Sequence, residues 1–343
     1  MDNLKQSIDA ELNPTPTITN KQELKNYLKN KNLLSLSLTS NACHDPNALQ
    51  HLSAVIRLCA AHEPSLGIAL TMHHHIVLVL AKYPQIFNNA AQIINAVTQH
   101  ECLVASAFAE GQSGVNIFNP SSQIERIDQL LVLNGSKKPC SLSSIADYYI
   151  LSTALNQRLS LINLPATRSG ISVSPFWNLD IFQYCDNNEL VFEQVQLEND
   201  ELSNLEDDHL SLCLVYGLSL FNYFALSSYI GIADRLIQYI PEKLSSIDHF
   251  KMALIEYQYV NDTLLSQSND LCSKPQLLET DLNHMLNLRY LVEDNLKKLV
   301  DFTLKNIGGI AVMKNPAILN LVNHLEMLKY HPTGKFQFYK QFI

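Results

Sequence analysis

The chain has 343 residues, of which 47% are hydrophobic and 17% charged, enough for two or three structural units around a large core. Its net charge of −9 comes with no basic stripe, which argues against a nucleic-acid partner. Seven cysteines, an odd number without CxxC spacing, read as free thiols of a cytoplasmic protein rather than disulfides or zinc ligands.

The first twenty residues carry acids and lack the apolar stretch that a secretory signal needs. Short helices are expected over 1–12 and Lys21–Lys29, separated by the Pro14–Thr19 turn region. Asn47 caps a predicted helix from Ala48 to His62, whose apolar residues recur at helical spacing. Pro64-Ser65 restarts the chain into a long apolar helix, Leu66–Ala81, which Pro84 stops; Ala90–Val97 offers a further turn or two. The first hundred residues are therefore all-α by pattern.

From Leu103 the pattern changes. The runs Leu103–Phe108, Gln129–Leu133 and Tyr148–Ala154 are bounded by Gly, Pro, Asn or Ser and read as strands. Asn134-Gly135 predicts a tight hairpin turn, since Gly accepts positive φ. Further strands are expected over Leu159–Leu164, Ile171–Ser174 and Leu190–Leu197. Helix then returns over Asp207–Ile240, Asp248–Asp270 and Thr280–Ile307, the last opened by Asp281 in its first turn. Gly308-Gly309 ends it, Asn315-Pro316 opens a final helix to about Tyr330, and the tail from His331 reads as an extended arm. Leu210–Ala233 has 24 residues without a charge, long enough to span a bilayer. Its Ser and Asn residues and the acidic lead-in Glu206-Asp207-Asp208 point instead to a buried bundle helix, so no membrane span is expected. The order gives an α+β chain: an all-α segment 1–100, a small β-barrel or sandwich 101–203, and a four-helix bundle with a tail, 204–343.

That order, and several motifs in it, resembles the acyl-CoA dehydrogenase superfamily of flavoproteins. Ala109-Glu110-Gly111-Gln112-Ser113-Gly114-Val115-Asn116 is similar to the family's TEPxxGSD stretch, matching at Glu110 and Gly114. Asn134-Gly135-Ser136-Lys137-Lys138-Pro139-Cys140-Ser141 resembles NGxKxWIT, matching at Asn134, Gly135 and Lys137, with Ser141 as the hydroxyl and Ala146-Asp147 following. The AHEPSLGIALTMHHH run resembles the helix that approaches the active site, LVFEQVQL the last middle-domain strand, and Gly308-Gly309 the turn before the final helix. The likeness covers about residues 20–332.

The resemblance implies FAD, with FMN possible as the alternative flavin, held by Phe108, Glu110, Gly114, Val115, Cys140, Ser141, Lys305, Gly308 and Gly309. It implies an acyl thioester as substrate, on CoA or an acyl carrier protein, met by His74 and Ser113, and a homodimer or homotetramer. Dehydrogenation needs a carboxylate to take the Cα proton, and the sequence departs from the family there. Phe302–Leu325 and His209–Ala233 contain no Asp or Glu, and Lys314 stands in the loop of the usual base. The arginines that grip the flavin pyrophosphate also lack counterparts near Arg235–Lys243.

Those departures open two further readings beside an acyl-CoA dehydrogenase-like oxidoreductase. One is a flavin monooxygenase of the same fold, which takes its acid/base histidine from the region of His324 and His331. The other is a non-catalytic binding or assembly subunit. His73-His74-His75 is not expected to bind metal, because consecutive helical residues point about 100° apart while ligands need i, i+4 spacing.

Overall fold

A computed structural model describes residues 17–111, 117–203, 207–241, 244, 247–340 and 342. The chain forms two compact units, one from Thr17–Leu49 and Ala69–Leu218, the other including Gln50–Ile68 and Ser219–Ile343. The boundaries fall inside three helices: α3 (Pro46–His62), α4 (Pro64–Lys82) and α6 (Asp207–Ile237).

The first unit contains α1 (Lys21–Asn30), a short α2 (Leu36–Thr39), α5 (Ala90–His100) and seven strands. Asn20 caps α1, its side chain accepting from the amides of Gln22 and Glu23, while Leu24 and Leu28 turn inward. The strands are β1 (Val104–Ala107), β2 (Gln123–Ile127), β3 (Leu130–Cys140), β4 (Tyr148–Leu155), β5 (Arg158–Pro165), β6 (Ile171–Ser174) and β7 (Asn188–Leu197). They make one mixed sheet. β4 pairs antiparallel with β5 along one edge; β1 and then β2 run parallel to its other edge, and β3, β7 and β6 follow antiparallel. As the central strand, β4 is buried from Tyr149 to Thr153 on both faces.

Three expectations are corrected here. Asn134-Gly135 is not a hairpin turn; it lies inside β3, and the turn between β2 and β3 falls at Asp128-Gln129. The register against β7 shifts between Leu133 and Gly135, and the Asn134 carboxamide oxygen accepts from the Gln194 amide at 2.9 Å, so the pair builds a bulge. Gly135 has φ of +131° there, and a Cβ on it would stand 2.8 Å from the Ser122 backbone. The strand β2 escaped the sequence reading because only Ile124 of its five residues is buried. The tail is not extended either: Lys335–Lys340 is a helix (α11), with Phe338 packed on Tyr290.

The second unit is helical: the later parts of α3 and α6 with α7 (Asp248–Cys272), α8 (Glu279–Ile307), the short α9 (Gly309–Lys314), α10 (Pro316–Glu326) and α11. Arg57 of α3 joins two helices, its Nε and Nη2 holding Asp234 at 2.6 and 3.1 Å and its Nη1 holding Asp262 at 2.5 Å. α3 and α6 touch backbone to backbone, because a Cβ on Gly231 would lie 2.0 Å from the Arg57 carbonyl oxygen. Among the described residues two helices, Pro64–Lys82 and His209–Ile237, are long and apolar enough to cross a membrane, but 89% and 78% of their apolar windows are buried within the protein.

Candidate functional site

The root of the loop after β1 is fastened to β3. The Lys138 amide donates to the Ala109 carbonyl at 2.8 Å, and Gly111, at φ +62°, sits so close to Lys138 that a Cβ would meet its side chain at 2.4 Å. Glu110 forms an ion pair with Lys137, and both side chains are almost wholly buried, at 2% and 0% exposure. Its other carboxylate oxygen accepts from the amide and hydroxyl of Ser121, at 3.1 and 2.6 Å. Burial lowers the Lys137 pKa, and the Glu110 bond works against that shift. The two stretches that carry the family resemblance thus meet through their matched Glu and Lys. The amides of Ala109, Glu110 and Gly111 donate to no described residue.

Past β3 the chain is anchored by two carboxylates. The half-buried Ser141 hydroxyl donates to the Asn187 carboxamide oxygen at 2.7 Å. Asp186 then accepts from Lys21 at 2.7 Å, the Ser143 hydroxyl at 2.9 Å and the Ser144 amide at 2.6 Å. Burial pushes the Asp186 pKa up, but the donors from Lys21, Ser144 and Ser143 outweigh it and hold the carboxyl below its ordinary range. Asp147 accepts from Lys25 at 2.8 Å and from the Leu103 amide at 2.7 Å, which aligns the starts of β4 and β1.

The second unit holds a separate polar cluster. Arg289 of α8 is 1% exposed, and no described carboxylate pairs with it. Its guanidinium donates to the Asn222 side chain at 2.9 Å and to the carbonyls of Pro332 (2.9 Å), His331 (3.3 Å) and Thr333. Tyr290 donates to the Thr333 carbonyl at 2.8 Å. The His331 ring lies edge-on to Phe221 and Tyr229, with Nε2 2.8 Å from the Tyr229 hydroxyl. Burial and then the Arg289 charge push the His331 pKa down to about 3, so its ring is neutral at physiological pH.

The other candidate residues are dispersed. Phe108 is half-buried just past β1; Ser113, Gly114 and Val115 lie outside the described residues. Cys140 is fully buried and its thiol is pushed well above the ordinary range by burial, which makes it a packed group rather than a reactive one. His74 is buried against Ser37 at 3.0 Å. His73 is committed to backbone, with Nδ1 3.0 Å from the Val104 amide and Nε2 2.9 Å from the Leu34 carbonyl, and burial takes its pKa to about 4. His75 donates from Nδ1 to the Thr71 carbonyl at 2.8 Å. The three rings share no metal geometry, and no metal-binding group of His, Cys, Asp and Glu occurs among the described residues. Gly308, at φ +86°, caps α8; Lys305, Gly309 and Lys314 are exposed. His324 is buried, its Nδ1 2.7 Å from the Asn320 carbonyl.

Sequence reasoning missed Tyr229, Arg289, Asp186 and Asn187. Only Arg289 left a signal, as a charge within the apolar run Leu286–Val292 of a predicted helix.

Comparison with known proteins agrees with the architecture. No family model matches the sequence. The chain is 28% identical over 305 residues to an isobutylamine N-hydroxylase from Streptomyces viridifaciens, covering 85% of this chain and 80% of that protein. Its fold is similar to butyryl-CoA dehydrogenase from Megasphaera elsdenii, with a TM-score of 0.79 at 12% identity over 99% of this chain and 97% of that one. It is also similar to FMN-bound TdsC from Paenibacillus sp. A11-2, with a TM-score of 0.74 at 14% identity over 98% and 93%. That enzyme is a dibenzothiophene monooxygenase. The α+β fold is therefore the acyl-CoA dehydrogenase fold, which serves both dehydrogenases and flavin monooxygenases.

Proposed function

We propose that this chain is a flavin-dependent monooxygenase that hydroxylates the nitrogen of a small primary amine. The observation that carries this reading is the missing carboxylate: neither Phe302–Leu325 nor His209–Ala233 holds an Asp or Glu to take a Cα proton. The similarity to an isobutylamine N-hydroxylase over most of the chain supports the same reading and suggests the substrate class. In the balanced reaction an N–H bond becomes N–OH, the second oxygen atom leaves as water, and a reduced flavin supplies two electrons.

The residues present fit a flavin, as FAD or FMN. The amides of Ala109, Glu110 and Gly111 are available as donors to the ring's pyrimidine edge, and the Glu110–Lys137 pair holds them in place. Ser141 would help to hold the ring through its hydroxyl, whose rotamer Asn187 fixes. When bound, the flavin supplies the redox chemistry with dioxygen. Among the histidine candidates, His331 is the proposed catalytic residue. Its ring is neutral, and its Tyr229 partner fixes it. His324, bonded to its own helix, is assigned a packing role, and Lys314 does not replace the missing base.

The test is turnover with isotopically labelled dioxygen, isobutylamine and FMN or FAD kept reduced by NADH and a flavin reductase. The expected product is a hydroxylamine carrying one labelled oxygen. Failure to oxygenate any amine, together with anaerobic bleaching of the bound flavin by an acyl-CoA, would make the chain a dehydrogenase of acyl thioesters. A colourless protein that takes up neither FMN nor FAD would make it a binding subunit.

A further inference from the structure

His331 sits where helical order lapses. Residues 331–334 lie between the single turn Met327–Tyr330 and α11 without regular structure, and no described backbone amide donates to the carbonyls of 331–333. All three carbonyls converge instead on the Arg289 guanidinium. The same guanidinium reaches the Asn222 carboxamide of α6 at 2.9 Å. Asn222 adjoins Phe221 and stands two turns before Tyr229, the two rings set against the His331 imidazole. Arg289 therefore ties the backbone of His331 to the helix that holds its side chain.

We propose that Arg289 is a positioning residue for His331, registering the 331–333 backbone against α6 so that the imidazole keeps one orientation. This rests on the assignment of His331 to the reaction. Burying an unpaired guanidinium is unfavourable, and here its Nε is left without a partner as well. Among the described ion pairs none joins Arg289 to Glu293, one turn further along α8. A tail that needed only packing would be served by an apolar side chain at 289. What such a side chain lacks is a planar fork whose donors reach three successive carbonyls and a neighbouring helix at once. The other polar contacts of the tail with α8 act further on: Lys335 meets Asp294 at 2.7 Å and Tyr339 meets Asn287 at 2.9 Å. They hold α11, not the histidine.

The test is aerobic turnover of the full chain with isobutylamine and reduced flavin, read as hydroxylamine and hydrogen peroxide formed per dioxygen consumed. Arg289→Lys keeps the charge but loses the fork. It is expected to lower kcat about tenfold to a hundredfold at unchanged KM for the amine, and to divert dioxygen to hydrogen peroxide. Lys335→Ala, which loosens α11 alone, is expected to leave kcat and the product ratio unchanged. A purely structural Arg289 would reduce the folded fraction and leave the product ratio of the remainder unaltered. A second readout needs no turnover: the ring-nitrogen resonances of histidine-labelled protein, with His331 assigned by its loss in His331→Gln. Arg289→Lys is expected to shift the His331 signal and not that of His73. Should Arg289→Lys not fold, Asn222→Ala takes its place with the same two readouts. An unmoved His331 signal, or an unmoved product ratio in an active enzyme, would overturn the inference. A wild type that oxygenates no amine, with its His331 signal still moved by Arg289→Lys, would strike the proposed reaction and keep the positioning.

Discussion

Each compact unit buries a cation, and they do so in opposite ways. In the sheet unit Lys137 is matched by Glu110, whose remaining oxygen is satisfied by Ser121, so the charge is neutralised on the spot. In the helical unit Arg289 has no carboxylate among the described residues; Asn222 and three consecutive backbone carbonyls, 331–333, receive its donors, and its Nε has none. The first arrangement fixes two neighbouring segments permanently. The second makes a buried charge depend on whether the chain around His331 is in place, and makes the His331 position depend on the charge.

The largest effect should come from breaking the matched pair. Glu110→Ala leaves an uncompensated ammonium in a dry site and is expected to cost about 3–5 kcal/mol in urea denaturation. A loss below ~1 kcal/mol, within the range of an exposed pair, would mean that water reaches Lys137. Arg289→Met is expected to cost about 2 kcal/mol, less than the first because the freed carbonyls of Pro332 and Thr333 lie in exposed residues. Its signature is local: amide exchange over α11 should rise far more than over the sheet. Uniform exchange across both units would contradict the locking role.

The smallest effect is one of pH. The Asp186 carboxyl lies below its ordinary range in the folded chain, so its stabilisation is fully present above the unfolded pKa near 4. It is lost as pH falls through the lower folded value. Asp186→Asn is therefore expected to lose about 1.5 kcal/mol at neutral pH and to flatten the acid limb of the stability curve. An unchanged acid limb would remove Asp186 as the anchor of Ser141–Ser144.

Most of the architecture was legible because its signals are local. Asn315 opens its helix with a side-chain bond, Gly308 ends α8, and β6 occupies the expected Ile171–Ser174, whereas Asn47, expected as a cap, lies inside α3 and its amide donates to Asp45 instead. What escaped depends on distant partners. Asn134-Gly135 has the chemistry of a turn, yet the approach of Ser122 and the demand of Gln194 make it a bulge. Glu110 and Lys137 were visible as separate motif matches, but nothing local joins residues 27 apart. Tyr229 carried no mark at all in an apolar helix, since its value lies in a contact 102 residues away with His331.

The central claim is that a flavin rests against the loop root at 109–111 and the Ser141 hydroxyl. Titrating the purified protein with FMN and with FAD, followed by flavin fluorescence, tests it directly. The account predicts saturable binding of at least one flavin, several-fold weaker in Ser141→Ala at unchanged thermal stability. Binding of neither flavin, or binding that Ser141→Ala leaves untouched, would contradict it.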